Sequence, residues 1–341
     1  MTRSCLTAVL LVCTGACSTG GTTDARSTVE QGAVHKPPPR EANQATPKAR
    51  DWSTFASTSV RNTNDGSLEG GVLLPGDAQG LRLNPKRNRA TQYGTVETVR
   101  GLVEAAETVH QELGGVGVTV HDLSYEGGGP IPHHGSHQNG RDVDVLFYQT
   151  GPDGTSVDAV GAFFDPKGHG VDFRDLANPE DDIALRIDLP RTWRFVQALI
   201  EDERASLQRI YVAEHIRSLL MAHATTQGAP GDVITRFSEM TCQPSYPHDD
   251  HFHFRFFCTA EDIKAGCRDA DPMYPWRRAQ LTEAGVAPLP ELPRRPQAKA
   301  EVVTHDEARA AAGPLHADVE GWLDARMQWT KKPSPGRPYC P

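Results

Sequence analysis

Positive charge is scarce in this chain of 341 residues: 35 Lys and Arg stand against 44 Asp and Glu, a formal net charge of -9. A surface that tracks phosphates needs clustered positive charge, so the balance argues against a general nucleic-acid binder, though not against one local basic patch, and no nucleic acid is expected as a partner. Long apolar runs are also missing. The conspicuous one, Cys5 to Cys13, is too short to span a bilayer comfortably. No internal repeat recurs, which removes repeat architectures. What the sequence does hold, apart from Pro enriched toward its ends, is histidine in two dense groups.

The apolar run follows Arg3 and is succeeded by Thr14-Gly15-Ala16-Cys17. This is the pattern of a secretory signal, expected over residues 1–16. Small residues directly before Cys17 look like a bacterial lipoprotein processing site, with Cys17 as the lipidated first residue of the mature protein. The expected location is therefore the periplasm or cell envelope, with membrane contact through a lipid anchor only. If Cys5 and Cys13 leave with the signal and Cys17 is lipidated, Cys242, Cys258, Cys267 and Cys340 remain in an oxidising compartment. Cys258 with Cys267 is the natural local pair, leaving Cys242 with Cys340. Spacing alone does not fix that connectivity, and buried free thiols are the alternative.

Residues 17–64 read as a tether, since Ser18 to Arg50 is rich in Thr, Gly, Pro, Ala and charge and almost free of large apolar side chains. The globular domain is expected over 65–285. Helical spacing runs from Thr95 to Leu113, where Val96, Val99, Leu102, Val103, Ala106 and Val109 share a face, and further helices are expected at Leu189 to Ile200 and Ala213 to Ala224. Strands are expected at Val116 to Leu123, Arg141 to Tyr148, Arg209 to Val212 and His251 to Phe257. Without regular βαβ alternation, this order predicts an α+β fold with a small, mainly antiparallel sheet, flanking helices and long loops. Residues 286–341 turn Pro-rich, then helical around Glu307 to Met327, and read as a strap and C-terminal extension.

Six of the fourteen histidines lie in His133-His134-Gly135-Ser136-His137-Gln138-Asn139-Gly140-Arg141-Asp142-Val143-Asp144 and His248-Asp249-Asp250-His251-Phe252-His253-Phe254. Imidazoles and one carboxylate hold a catalytic zinc while leaving a position for water. Residues two apart on a strand share a face, so His251 and His253 point one way and Phe252 and Phe254 the other. Gly140 permits a tight bend that lets His137 and Asp144 converge on one ion. His137, Asp144 and His253 are thus the expected Zn2+ ligands, with His251 as the base. His134 and His248 are expected to donate to the oxyanion or hold the water, and Asp142 to orient a ligand imidazole. The other eight histidines, His110, His121, His169 and His215 among them, lack such company.

These residues resemble one family. Ser136-His137-Gln138-Asn139-Gly140-Arg141-Asp142-Val143-Asp144, with His134 before it, and His248-Asp249-Asp250-His251-Phe252-His253 are similar to the penicillin-insensitive murein endopeptidases, within the lysostaphin/D-Ala-D-Ala-carboxypeptidase/hedgehog group of zinc peptidases. The resemblance implies a hedgehog/D-Ala-D-Ala-peptidase-like fold, zinc on His137, Asp144 and His253, His251 as catalytic histidine, and His134 and His248 as further active-site residues. It also implies hydrolysis of D-alanyl to meso-diaminopimelyl crosslinks in peptidoglycan, with crosslinked muropeptides as partner. The alternatives are a zinc D,D-carboxypeptidase acting on stem peptides and a non-catalytic wall-binding lipoprotein. The carboxypeptidase branch usually carries Glu-x-Trp-His where His251-Phe252-His253 stands here. The lysostaphin branch spaces its first His and Asp more closely than the seven-residue step from His137 to Asp144.

Overall fold

Two strands whose side chains alternate between imidazole or carboxylate and large apolar groups make the centre of this protein. The computed structural model describes residues 50–174, 176–301, 305–331 and 340. The expected signal peptide and the lipidation site at Cys17 lie outside the described residues. The first part of the chain forms β1 (Thr58–Asn62), β2 (Asp65–Glu69), β3 (Val72–Leu73), β4 (Leu81–Leu83), β5 (Tyr93–Gly94), α1 (Val96–Leu113) and β6 (Val118–Val120). There follow β7 (Asp142–Leu146), β8 (Gln149–Thr150), β9 (Ser156–Val157), β10 (His169–Asp172), β11 (Ile183–Ile187), α2 (Leu189–Glu201) and β12 (Leu207–Tyr211). The last part holds α3 (Glu214–Thr226), α4 (Gly231–Met240), β13 (Thr241–Cys242), β14 (His251–Phe256), α5 (Ala260–Lys264), α6 (Pro275–Glu283), α7 (His305–Ala312) and α8 (Ala317–Trp329).

The fold is α+β. Its main sheet has six strands in the order β13-β12-β14-β7-β6-β4. The inner pairings β12–β14, β14–β7 and β7–β6 are antiparallel, whereas the outer ones, β12–β13 and β4–β6, are parallel. The register sets His253 opposite Asp144 and Phe254 opposite Val143, so the two strands present their polar residues to one side together. On the other side Phe252 and Phe254 enter the core with Val143, Val145 and Phe147. Edge-to-face contact between Phe147 and Phe252, at 4.8 Å between ring centroids, packs this apolar face.

Helices α1 and α2 cover that face. Thr95 caps α1 by accepting the Thr98 amide, and Val99, Leu102, Val103, Ala106 and Val109 are buried along one stripe as their spacing requires. Asp188 caps α2, with Pro190 in its first turn, and Trp193, Phe195, Val196, Leu199 and Ile200 face inward. Among the described residues no helix is long and apolar enough to cross a membrane.

Several expectations change. Pairing begins at Thr58 rather than at residue 65, because β1 runs antiparallel to β2 along its whole length. The strand expected from Val116 to Leu123 shrinks to Val118–Val120. The expected single helix around Glu307 to Met327 is two, α7 and α8, separated where Gly313 takes a φ of +75° just before Pro314. Helices α4 and α6 had no counterpart in the sequence reading, their apolar residues being few and interrupted by charge.

Two disulfides, Cys258–Cys267 and Cys242–Cys340, are formed. Cys258, Cys267, Ile263 and Leu281 make a small second core. It is tied to the sheet by Arg141, which is buried and donates to Asp269 at 2.8 Å and to the Phe256 carbonyl at 2.7 Å. The Pro-rich stretch is laid against the domain: Asn62 donates to the Leu292 carbonyl at 2.6 Å, and Arg295 pairs with buried Asp65 at 2.6 Å.

Candidate active site

The site is built on the polar side of β7 and β14. Asp144 and His253 come from the strands, and His137 from the turn before β7. That turn depends on Gly140, whose φ is +77°; a Cβ there would stand 2.7 Å from a Leu68 methyl and 2.9 Å from the Thr95 amide. Strain gathers in the same segments. His133, His137 and His248 have φ of +68°, +69° and +56°, joined among the described non-glycine residues only by Arg61 and Ser206.

Three atoms converge. Asp144 Oδ1 is 3.3 Å from His137 Nε2 and 3.2 Å from His253 Nδ1, and the two nitrogens are 3.3 Å apart. A tetrahedral zinc with bonds of roughly 2.0–2.1 Å has ligand–ligand edges of about 3.3–3.4 Å, so these separations fit one ion. Asp144 Oδ1 is buried with no hydrogen-bond partner, the condition of a ligand atom reserved for a cation. His137, Asp144 and His134 also form a group able to hold a metal ion. Here His134 Nδ1 lies 3.5 Å from Asp144 Oδ2. His134, expected only as a substrate-facing residue, is therefore also a potential donor.

Second partners fix each ring. His137 Nδ1 donates to the Leu123 carbonyl at 2.8 Å, which leaves the Nε2 lone pair facing Asp144. His134 Nε2 meets Asp122 Oδ2 at 3.2 Å, and Asp122 is itself held by Thr91 at 2.5 Å and Arg87 at 3.3 Å. His253 Nε2 lies 3.3 Å from Asp142 Oδ2. Asp142 is fully buried and receives both Arg255 Nε and Nη2, at 2.8 and 2.9 Å. Asp142 thus lies directly beside the His253 imidazole.

His251 Nδ1 contacts Asp250 Oδ1 at 2.8 Å, and its Nε2 faces Asp144 Oδ1 at 3.6 Å. Burial opposes charge on this ring, but Asp250 and Asp144 outweigh it and push its pKa up to about 10. Burial also opposes the charge on Asp144, yet His137 and His251 hold its carboxyl well below the usual carboxylate range.

His248 lies 4.8 Å from His251 between ring centroids, and burial, then His251 and His253, lower its pKa to about 3. Its Nδ1 donates to the Tyr246 carbonyl at 2.7 Å, so a neutral ring would accept through Nε2.

Residues 59–278 match the penicillin-insensitive murein endopeptidase family. The chain belongs to that family. A comparison with curated proteins finds no match. The matched region contains every residue of the site described above and stops before the Pro-rich extension.

Three residues of the site escaped the sequence reading, Asp122 and Asp250 beside His134 and His251, and His121. His121, set aside as a lone histidine, stacks against His251 with centroids 6.4 Å apart and bonds Asn84 at 2.6 Å. Burial, with Arg87 and His251, lowers its pKa to about 4. Its arrival depends on β6 lying beside β7, a non-local pairing that no spacing announces. His133, in contrast, has an exposed side chain and contributes its backbone amide, which donates to the Glu301 carbonyl at 2.9 Å.

Proposed function

We propose that the chain is a zinc-dependent murein D,D-endopeptidase that hydrolyses D-alanyl to meso-diaminopimelyl crosslinks of peptidoglycan in the cell envelope, anchored there through Cys17. The observation that carries this reading is the triangle of His137 Nε2, Asp144 Oδ1 and His253 Nδ1, with edges of 3.2 to 3.3 Å. Family membership supports murein as substrate, and the signal-like start supports export.

Zinc held by these three residues would supply a water of lowered pKa and a Lewis acid for the scissile carbonyl. The side chains do the rest. His251, oriented by Asp250, accepts the proton of the attacking water and returns it to the leaving amine. His248 holds the water or a substrate N–H through its free Nε2. His134, oriented by Asp122, steadies the substrate beside Asp144. No serine acts as nucleophile, so β-lactams have no acyl-enzyme to form.

The test is digestion of defined crosslinked muropeptide dimers beside linear pentapeptides, with mass-spectrometric readout and with or without chelator. Chelator-sensitive release of monomers from dimers is expected. Release of D-Ala from pentapeptide alone would replace the endopeptidase with a carboxypeptidase. Full zinc occupancy with no turnover on either would leave a wall-binding protein.

A further inference from the structure

Beyond the family-matched residues, the C-terminal extension reaches both histidine segments. At the first, the Glu301 carbonyl accepts the His133 amide at 2.9 Å and the Ala298 carbonyl accepts Gln138 Nε2 at 2.6 Å. At the second, α8 sends Arg326 into the interior. Arg326 is 4% exposed and Asp249 is 0% exposed. Its Nε lies 2.9 and 3.1 Å from the two Asp249 oxygens and its Nη2 2.7 Å from Oδ1, while Trp329 Nε1 adds a contact at 3.4 Å. The guanidinium also lies over the Phe163 ring at 3.7 Å.

Asp249 stands between the two residues that matter most in its loop. His248 precedes it with φ +56°, a conformation that an L side chain does not hold without outside support. Asp250 follows it and orients His251. The loop backbone is secured from the peptidase domain by the Phe164 amide on the Asp249 carbonyl at 3.0 Å and the Ala213 amide on the His248 carbonyl at 3.1 Å. The Asp249 side chain, however, is held from α8. That helix is itself fastened: Gln243 Nε2 donates to the Thr330 carbonyl at 2.8 Å, and Gln243 lies next to Cys242, whose disulfide to Cys340 brings the chain end back.

We propose that Arg326 is a positioning residue for the peptidase reaction, setting the His248–His251 loop through its two-pronged grip on Asp249. The proposal rests on the peptidase reading above. A planar guanidinium fixes a carboxylate in both distance and orientation, which a point charge does not. The extension thus becomes part of the active-site framework, although it lies outside the family-matched region.

The experiment uses the full chain with Arg326→Gln, Arg326→Lys and the double variant Asp249→Asn/Arg326→Gln, which removes both buried charges together. Turnover of crosslinked dimers, zinc content, melting temperature and hydrogen exchange of residues 246–252 are measured. Arg326→Gln is expected to lower kcat by about tenfold or more with KM little changed and zinc retained, and to raise exchange in 246–252. Arg326→Lys is expected to fall between. The double variant is expected to recover melting temperature but not kcat. Recovery of kcat together with melting temperature would reduce the pair to general support and overturn the proposal, as would unchanged exchange in Arg326→Gln. If the wild-type chain cleaves no dimer, the peptidase reading fails, and positioning then stands or falls on the exchange of 246–252.

Discussion

Asp144 and His253 are direct cross-strand partners, and their side-chain atoms Oδ1 and Nδ1 meet at 3.2 Å on the polar side of the sheet. Opposed residues of an antiparallel pair keep their side chains on one face at a fixed separation. Two of the three proposed ligands are therefore set by sheet register and only His137 by a turn.

Ligand and substrate-steadying roles separate by metal content. His253→Ala is expected to lose stoichiometric zinc and all measurable turnover, since it removes an edge of the triangle. His134→Ala is expected to keep zinc and lose turnover in part. Atomic-emission analysis of the purified variants decides this, and loss of zinc from His134→Ala would make His134 a ligand.

Asp142 supports the centre indirectly. Asp142→Asn retains an oxygen for Arg255 but removes the charge beside His253 Nε2. Zinc affinity, titrated against a competing chelator, is expected to weaken by about 10–100-fold, the range usual for such supporting carboxylates. An unchanged affinity would mean that sheet packing alone orients the ring.

Gly140→Ala tests the turn that delivers His137. The left-handed φ and the 2.7 Å approach to Leu68 act together. A loss of about 1–3 kcal/mol is expected in denaturant unfolding, with weaker zinc binding because His137 shifts. Wild-type stability would show that the turn can relax elsewhere.

Acid should release the extension at its Asp65 anchor. Burial opposes charge on Asp65, but Arg295 and Arg61 outweigh it and lower its pKa from 3.8 to about 2. A carboxyl with a depressed folded pKa stabilises above its ordinary value, and that contribution is lost as pH falls through the folded one. Protection of residues 290–300 against hydrogen exchange is thus expected to hold above pH 4 and to decline toward pH 2. In Asp65→Asn, protection should be weaker throughout and lack this step.

Local pattern carried much of the site. Period-two alternation in His251-Phe252-His253-Phe254 put the imidazoles on one face and the rings in the core, and the observed strand has that arrangement. Helix α1 was legible because its apolar spacing runs unbroken after a Thr cap. Residues without local company were not legible. Neither His121 nor Asp122 advertises a role until β6 lies along β7, and Arg326 gains one only when α8 packs against the loop of Asp249.

Sequence by itself determined which donor types gather here, because the imidazoles and carboxylates, the bend at Gly140 and strand periodicity are local properties written in a few residues. Tertiary structure alone decided the reach between donor atoms, the hydrogen-bond partner of each ring and the contacts made by the C-terminal extension. Those depend on contacts between segments far apart in the chain, such as the 3.3 Å between His137 Nε2 and His253 Nδ1, and chain spacing holds no information about such distances until the sheet has closed.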